Sequence, residues 1–508
     1  MSDEDAGPDF AGGIDAARLD ERGLLGGTYE GKPVVLVDDG GRLCAFAGRC
    51  THHDAPLADG LVVDGTLRCP WHHARFSLAT GEAVAAPALR PLVRYVVERR
   101  DDKVYVTGRD DANVARKATT NPGRVVIVGG GAAGHACAEM LAREGYGPRV
   151  TVVSDEPDRP YDRTACSKDY LSGDVERDVC FIADETFYGD GGPVLRANRK
   201  ATSIDVAAKT LVLDGGEHLP FDKLVIATGA APIQPELPGF HRSNVYRLRT
   251  LADCDALVAA AESGKRAVVV GASFIGLEVA ASLRKRQVDV DVVAPEPIPL
   301  AKVIGPDVGA MIRRVHEAEG VHFHLGRQAK DYDGERVTLD DGTTLAADFV
   351  VVGVGVRPRT PLAEAAGLAL APKEAGGGIV VDERLETSVP GIHAIGDVAH
   401  YPDRYAGQAV RIEHWVHAQR QGQFVARHLM GTAERFDDLP FFWSAHFDTG
   451  LVYSGHVGTI ADARVDGSID DQDFTIRFTG KAGDEAILDC NRDLAALAAE
   501  AEKERATR

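Results

Sequence analysis

Residues 124–145 read RVVIVGGGAAGHACAEMLAREG, and the order of residue types in this stretch decides how the middle of the chain folds. Val125, Val126, Ile127 and Val128 form a short β-branched apolar run, the pattern of a strand buried on both faces. Gly129, Gly131 and Gly134 follow as G-x-G-x-x-G, and apolar residues then recur at helical spacing. The first glycine permits a tight turn, the second lets a pyrophosphate approach the backbone, and the third lets helix and strand pack closely. A helix that starts there offers its unpaired N–H groups to phosphate. The next strand-like run, VTVVSDEP (150–157), ends in Asp155 and Glu156. That is roughly 20 residues past the turn, where an acid bonds a ribose hydroxyl.

The same unit occurs again in RAVVVGASFIGLEVAASLRKRQVDVDVVAPEP (266–297), with Gly271, Ser273 and Gly276 in the turn. Serine in the middle position crowds the backbone approach slightly. Ala294 stands where a ribose-binding acid often sits, and Glu296 follows two residues later. No arginine follows to take a 2′-phosphate, which favours NADH over NADPH. Two strand–turn–helix–strand units imply two α/β Rossmann-like domains.

Three further stretches end apolar strands in small residues: LVIATGAAP (224–232), VVGVGVRP (351–358) and VPGIHAIGDVA (389–399). With the two turns, they resemble the FAD-dependent pyridine nucleotide oxidoreductases over residues 122 to about 455. The resemblance implies FAD on the first turn and NADH on the second, with Asp397 bonding the ribityl chain. PYDRTACSKDYL (160–171), RLRTLAD (247–253), RIEHWVHAQRQG (411–422) and PFFWS (440–444) resemble the apoptosis-inducing-factor and oxygenase-ferredoxin-reductase branch. On that likeness Arg163, Lys168, Arg249, Glu413, His414 and Trp443 are FAD contacts. Glu296, Lys302 and Gly355 lie on the NAD side, and Ala201, Phe274 and Ile275 are further cofactor-binding positions. Lys168 and Glu278 form an ion pair near flavin N5, the catalytic pair of this reading.

The branch has prolines and a leucine where this chain has Thr164, Ala165 and Cys166. Cys166, with Tyr170 and Gly173, also resembles the site of single-cysteine flavin peroxidases and disulfide reductases. A small buried thiol in the leucine position is the competing reading. The paired C-x₄-C of dithiol reductases is absent.

Ahead of this region stand RCTHHDAPLADG (49–60) and CPWHHA (69–74). The ligand pattern is Cys50-x-His52, then Cys69-x-x-His72. Zinc and a [2Fe–2S] cluster both take two thiolates and two imidazoles. Zinc sites more often pair cysteine with cysteine and histidine with histidine, whereas each loop here supplies one of each. The stretch resembles Rieske ferredoxin domains over residues 25 to 108, a small all-β region of short strands and hairpin turns. On that resemblance His53 and His73 are not ligands. Ala55 and Trp71 stand where high-potential members carry a disulfide, which implies a ferredoxin-like potential low in the Rieske range. Cys44 lies upstream of both loops and reads as structural.

The chain has 508 residues, 77 acidic against 57 basic, for a formal charge of −20. That balance excludes nucleic acid and an anionic membrane as main partners, since both need a basic footprint. The start, MSDEDAGPDF, lacks the basic and apolar regions of a secretory signal. No apolar run reaches the roughly 20 residues of a membrane span. Eight scattered cysteines suit a reducing, cytoplasmic compartment. The domains expected are a Rieske domain (1–110), a polar linker (109–123), a discontinuous FAD domain (122–246 and 368–438), an NAD(H) domain (247–367) and a C-terminal α+β reductase-like domain (439–508). The function expected is an NADH-dependent ferredoxin reductase with its carrier fused, passing electrons through FAD and the cluster to an external acceptor such as an oxygenase, with the linker a flexible tether. A Cys166-dependent peroxide or disulfide reductase and an NADH-sensing protein of the apoptosis-inducing-factor type are the alternatives. The acceptor and the oligomeric state are not legible in the sequence.

Overall fold

The structure is a computed structural model that describes residues 7–111 and 118–506. The first six and last two residues and the middle of the expected linker (112–117) lie outside the described residues. The chain divides into two compact units, residues 1–119 with 492–508 and residues 120–491.

The first unit holds a six-stranded antiparallel sheet and a four-stranded one. In the smaller sheet, Leu61–Val63, Thr66–Arg68, Arg75–Ser77 and Ala83–Ala85 pair as successive hairpins. Leu67 opposes Phe76 on the face turned to the core. Because side chains alternate along a strand, Arg68 and Arg75 oppose each other on the other face. That face is covered by the helix Asp493–Ala506. The expected C-terminal block (439–508) therefore divides, and its last helix packs with the first unit. The cause is charge, since Glu500 and Glu504 of that helix pair with the two arginines. In place of one tether, the chain crosses between the units twice, after Thr119 and after Asn491.

The second unit contains two parallel five-stranded sheets. In the first, Val194–Arg196, Val150–Val153, Val125–Val128, Lys223–Ile226 and Ile392–Ala394 lie side by side. Its last strand arrives only after the whole second sheet has been built, so the domain is discontinuous. The second sheet runs Val245–Arg247, Phe349–Val352, Arg266–Val270, Asp289–Ala294 and Val321–Leu325. Strand Val245–Arg247 pairs with Val350–Val352 and so moves the expected boundary at 247 a few residues earlier. In both sheets the strand carrying the glycine turn sits where the strand order reverses, the place where such sheets bind ligands. A five-stranded antiparallel sheet of Phe441–His446, Thr449–Gly455, Glu485–Cys490, Asp473–Gly480 and Ile460–Ser468 completes the unit. Among the described residues no helix is long and apolar enough to cross a membrane.

Candidate nucleotide cavity and metal centre

Each glycine of the first turn is held by a different constraint. Gly129 has φ 114°, and a Cβ there would lie 2.1 Å from the carbonyl oxygen of Ala227 on the neighbouring strand. At Gly134 a Cβ would meet the oxygen of Gly129 at 1.9 Å, so this glycine permits helix Ala132–Leu141 to pack on its strand. At Gly131 the nearest atom is Arg163 Nε at 3.7 Å, leaving open space in front of the helix N-terminus. Protein fills the first and third positions, and the second faces a cavity. The second turn repeats the pattern, with φ 113° at Gly271 and a Cβ clash of 2.2 Å at Gly276. Ser273 does not obstruct the approach. Its hydroxyl donates to Gly353 O at 2.9 Å and caps helix Phe274–Lys285.

Both turns open on a cavity of about 1260 Å³. That exceeds the 300–1,000 Å³ usual for one small ligand and suits two nucleotides. On the first-sheet side it is lined by Gly129, Gly131, Asp155, Glu156, Arg163 and Ala201. Arg249, Asp397, Glu413, His414 and Trp443 line it further along, and Ser273, Phe274, Ile275 and Gly355 on the second-sheet side. Gly134, Gly271 and Gly276 shape the turns from behind. Glu296 and Lys302 lie outside the lining, 3.6 Å from each other. Glu156 accepts hydrogen bonds from Tyr161 and Arg163, and Arg249 pairs with Asp397 at 3.0 Å. Burial pushes the His414 imidazole down to about 3, so it is neutral at pH 7.

Lys168 and Glu278 meet in this lining at 2.8 Å. Glu278 Oε2 also accepts from Ser167 at 2.7 Å, and Oε1 accepts from Ser444 at 2.7 Å. The chain continues inward through His446 Nε2 at 3.2 Å from Ser444 Oγ and His316 Nε2 at 3.1 Å from His446 Nδ1. Burial holds both imidazoles at about 3, hence neutral. Since Ser444 spends its proton on Glu278, His446 must donate from Nε2 and His316 from Nε2. Every dipole in the chain then points at the carboxylate. Ser444 and His446 lie in or beside the quoted stretch PFFWS, yet nothing in its spacing marked them as partners of Glu278. Their link crosses 166 residues.

Cys166 is 2% exposed, beside Cys254. A hydrogen bond with Cys254, then burial, push its thiol far above the usual range. It lines the cavity as a protonated, apolar group, because an active thiolate needs a cationic, partly exposed setting.

In the first unit, the two cysteine–histidine stretches form loops of one design. Cys50 N donates to Ala55 O at 2.9 Å, and Cys69 N to Ala74 O at 2.8 Å. The residue four after each cysteine, Asp54 or His73, has a left-handed backbone, φ 56° and 57°. Cys50 and Cys69 are buried and hydrogen-bonded to each other, which raises the first thiol and lowers the second. His52 Nδ1 lies 3.3 Å from His72 Nδ1, and burial drives His52 well below its usual range, into the neutral ligating form. A cysteine pair in contact and a histidine pair with facing Nδ1 atoms suit a cluster that divides its ligands by type. His53 is exposed, and Trp71 is 42% exposed. His73 is fully buried and hydrogen-bonded to Glu500. No spacing in the chain pointed to that partner, which lies 427 residues away.

Comparison with known proteins bears on both regions. Residues 123–422 match the pyridine nucleotide-disulphide oxidoreductase family, and residues 14–96 match the Rieske [2Fe-2S] domain. The chain is 31% identical to apoptosis-inducing factor 3 of Homo sapiens over 473 residues, 89% of this chain and 77% of that one. It is 35% identical to the ferredoxin–NAD(+) reductase component of the anthranilate 1,2-dioxygenase system of Burkholderia cepacia, over 72% of this chain and 89% of that one. The crystal structure of the covalent putidaredoxin reductase–putidaredoxin complex superposes with a TM-score of 0.71 at 30% identity, covering 75% of this chain and 93% of that chain.

Proposed function

The chain belongs to the pyridine nucleotide-disulphide oxidoreductase family and carries a Rieske [2Fe-2S] domain ahead of it, and from this premise we propose that it is an NADH-dependent ferredoxin reductase with its own electron carrier fused. Electrons would pass from NADH through FAD and the cluster to an external redox protein, an oxygenase component being the favoured class. The observation that carries this reading is one cavity bearing two dinucleotide turns and the Lys168–Glu278 pair, in a chain that also brings together two buried cysteines and two partly buried histidines.

When bound, FAD takes a pair of electrons as hydride and releases them singly, and the cluster carries one at a time. The residues supply binding and orientation. Gly129, Gly131 and Gly134 would seat the FAD pyrophosphate, with Glu156 toward its ribose and Asp397 toward the ribityl chain. Ser273, Phe274 and Ile275 would seat NADH, with Glu296 favouring a free 2′-hydroxyl. Lys168 stands at the cavity wall against Glu278, whose carboxyl oxygens are engaged by three partners, Lys168, Ser167 and Ser444. The apolar Phe442 and Trp443 line the same cavity. Cys50, His52, Cys69 and His72 would hold the cluster. Ala55 and Trp71 leave it without a bracing disulfide, and we assign it a low, ferredoxin-like potential. None of the eight cysteines is paired in a disulfide, which suits a reducing compartment.

Anaerobic titration with NADH, followed by visible and EPR spectra, tests the proposal. Flavin bleaching followed by a reduced Rieske signal is the expected result. Bound zinc, or bleaching that never reaches an iron signal, would overturn it.

A further inference from the structure

The register of the second cluster loop creates an electrostatic problem. Arg68 and Arg75 flank the loop and stand directly opposite each other in an antiparallel pair. Like charges so placed repel. Arg68 is buried, and Arg75 is mostly so. The helix Asp493–Ala506, more than 400 residues later in sequence, answers both. Glu504 accepts from Arg68 at 2.9 Å and from Arg75, and Glu500 accepts from Arg75 at 2.8 Å. Glu500 and Glu504 are one helical turn apart, so one helix face presents both carboxylates to the arginine pair. The other oxygen of Glu500 meets His73 Nδ1, the residue next to the ligand His72.

His73 explains why the contact reaches the loop itself. Its backbone is left-handed, a conformation a histidine keeps only when its surroundings hold it there. Its side chain is fully buried, and Glu500 is equally buried. Asp54, at the matching position of the first loop, is exposed. The two loops share a backbone design, and the second is anchored by the helix Asp493–Ala506.

We propose that the C-terminal helix is part of the cluster-binding unit, and that Glu500 is a positioning residue which, through His73 and Arg75, sets the loop carrying Cys69 and His72. Glu504 neutralises the arginine pair at the base of that loop. This rests on the reading of the centre as a Rieske cluster. Its consequence is that the cluster site is complete only once the helix Asp493–Ala506 is in place.

The test uses the full chain with both cofactors. Glu500→Gln, Glu500→Asp and Glu502→Gln are compared with the parent by iron content, EPR g values and redox titration of the cluster. Bleaching of the flavin by NADH reports independently that the second unit is folded. Glu500→Gln removes one negative charge near the cluster and frees His73. The expected result is a broadened or displaced g tensor with a raised midpoint potential, or a severalfold loss of iron, while the flavin still bleaches. Glu500→Asp restores the parent signal in part. Glu502→Gln, on the exposed side of the same helix, leaves it unchanged. Parent-like g values, potential and iron content in Glu500→Gln would overturn the clamp and leave the helix as packing alone. Zinc in place of iron in the parent would instead overturn the reading of the centre.

Discussion

Glu278 shows how much one carboxylate can organise. Its oxygens are buried yet engaged, by Lys168, Ser167 and Ser444. Replacing it with glutamine leaves the Lys168 ammonium without its counter-ion. Breaking a buried pair costs about 3–5 kcal/mol, and the 16% exposure of the Lys168 side chain puts the loss at the low end. Denaturant unfolding of Glu278→Gln should show it, together with slower bleaching of the flavin by NADH in stopped flow. Cys166 behaves oppositely. Cys166→Ala should leave NADH-driven bleaching and cluster reduction within about twofold of the parent, in keeping with an inert buried thiol. A large loss of NADH-dependent peroxide turnover would restore the thiol mechanism. The glycines separate folding from binding. Gly131→Ala meets open space, so the protein should melt as before yet lose FAD, read as the flavin-to-protein absorbance ratio. Gly129→Ala meets a carbonyl at 2.1 Å on a left-handed backbone and should fail to fold stably.

At the scale of elements, the nucleotide turns and the cluster loops were legible because their chemistry is local. A turn that must hug a phosphate needs its glycines within six residues, and a loop that ligates a cluster carries its cysteine and histidine within four. Ser273 is a partial exception. Its residue type suggested crowding, whereas its hydroxyl turns back to cap the helix. Ser273→Ala should therefore cost about 1 kcal/mol of stability, the usual worth of an N-cap, measured as a shift in denaturant midpoint. The C-terminal helix was legible as a helix, but its packing partner was not. DLAALAAEAEKER (493–505) reads as a charged helix of the expected C-terminal α+β domain, and two of its carboxylates are buried where arginines of the first unit meet them. Sequence pattern reports which face of a helix is apolar. It cannot report that a charged face has found charged partners.

For the whole molecule, the buried histidines set the response to acid. His135, His316 and His446 are fully buried, and burial pushes them to about 4, 3 and 3. In the unfolded chain they titrate near 6.5. The folded values lie lower, so below pH 6.5 the unfolded state binds protons that the folded state refuses. Stability is present above pH 6.5 and is lost as pH falls toward 3. Denaturant midpoints of the holoprotein at pH 7, 6 and 5 should fall with a linkage of more than one proton between pH 6 and 5. A flat profile would show these imidazoles to be hydrated.

The sequence by itself carried the two glycine turns and the strand-and-helix order of the reductase, because each is written in short-range spacing or in the alternation of strand and helix, and the proposal of Cys50, His52, Cys69 and His72 as cluster ligands rests on the same kind of spacing. The tertiary structure alone decided that Ser444 and His446 stand behind Glu278, that Cys166 is sealed against Cys254, and that the last helix closes over the second cluster loop. Those contacts join residues 88 to 436 positions apart. They arise from the burial and neutralisation of polar groups, which depend on what the fold brings alongside and leave no period in the chain.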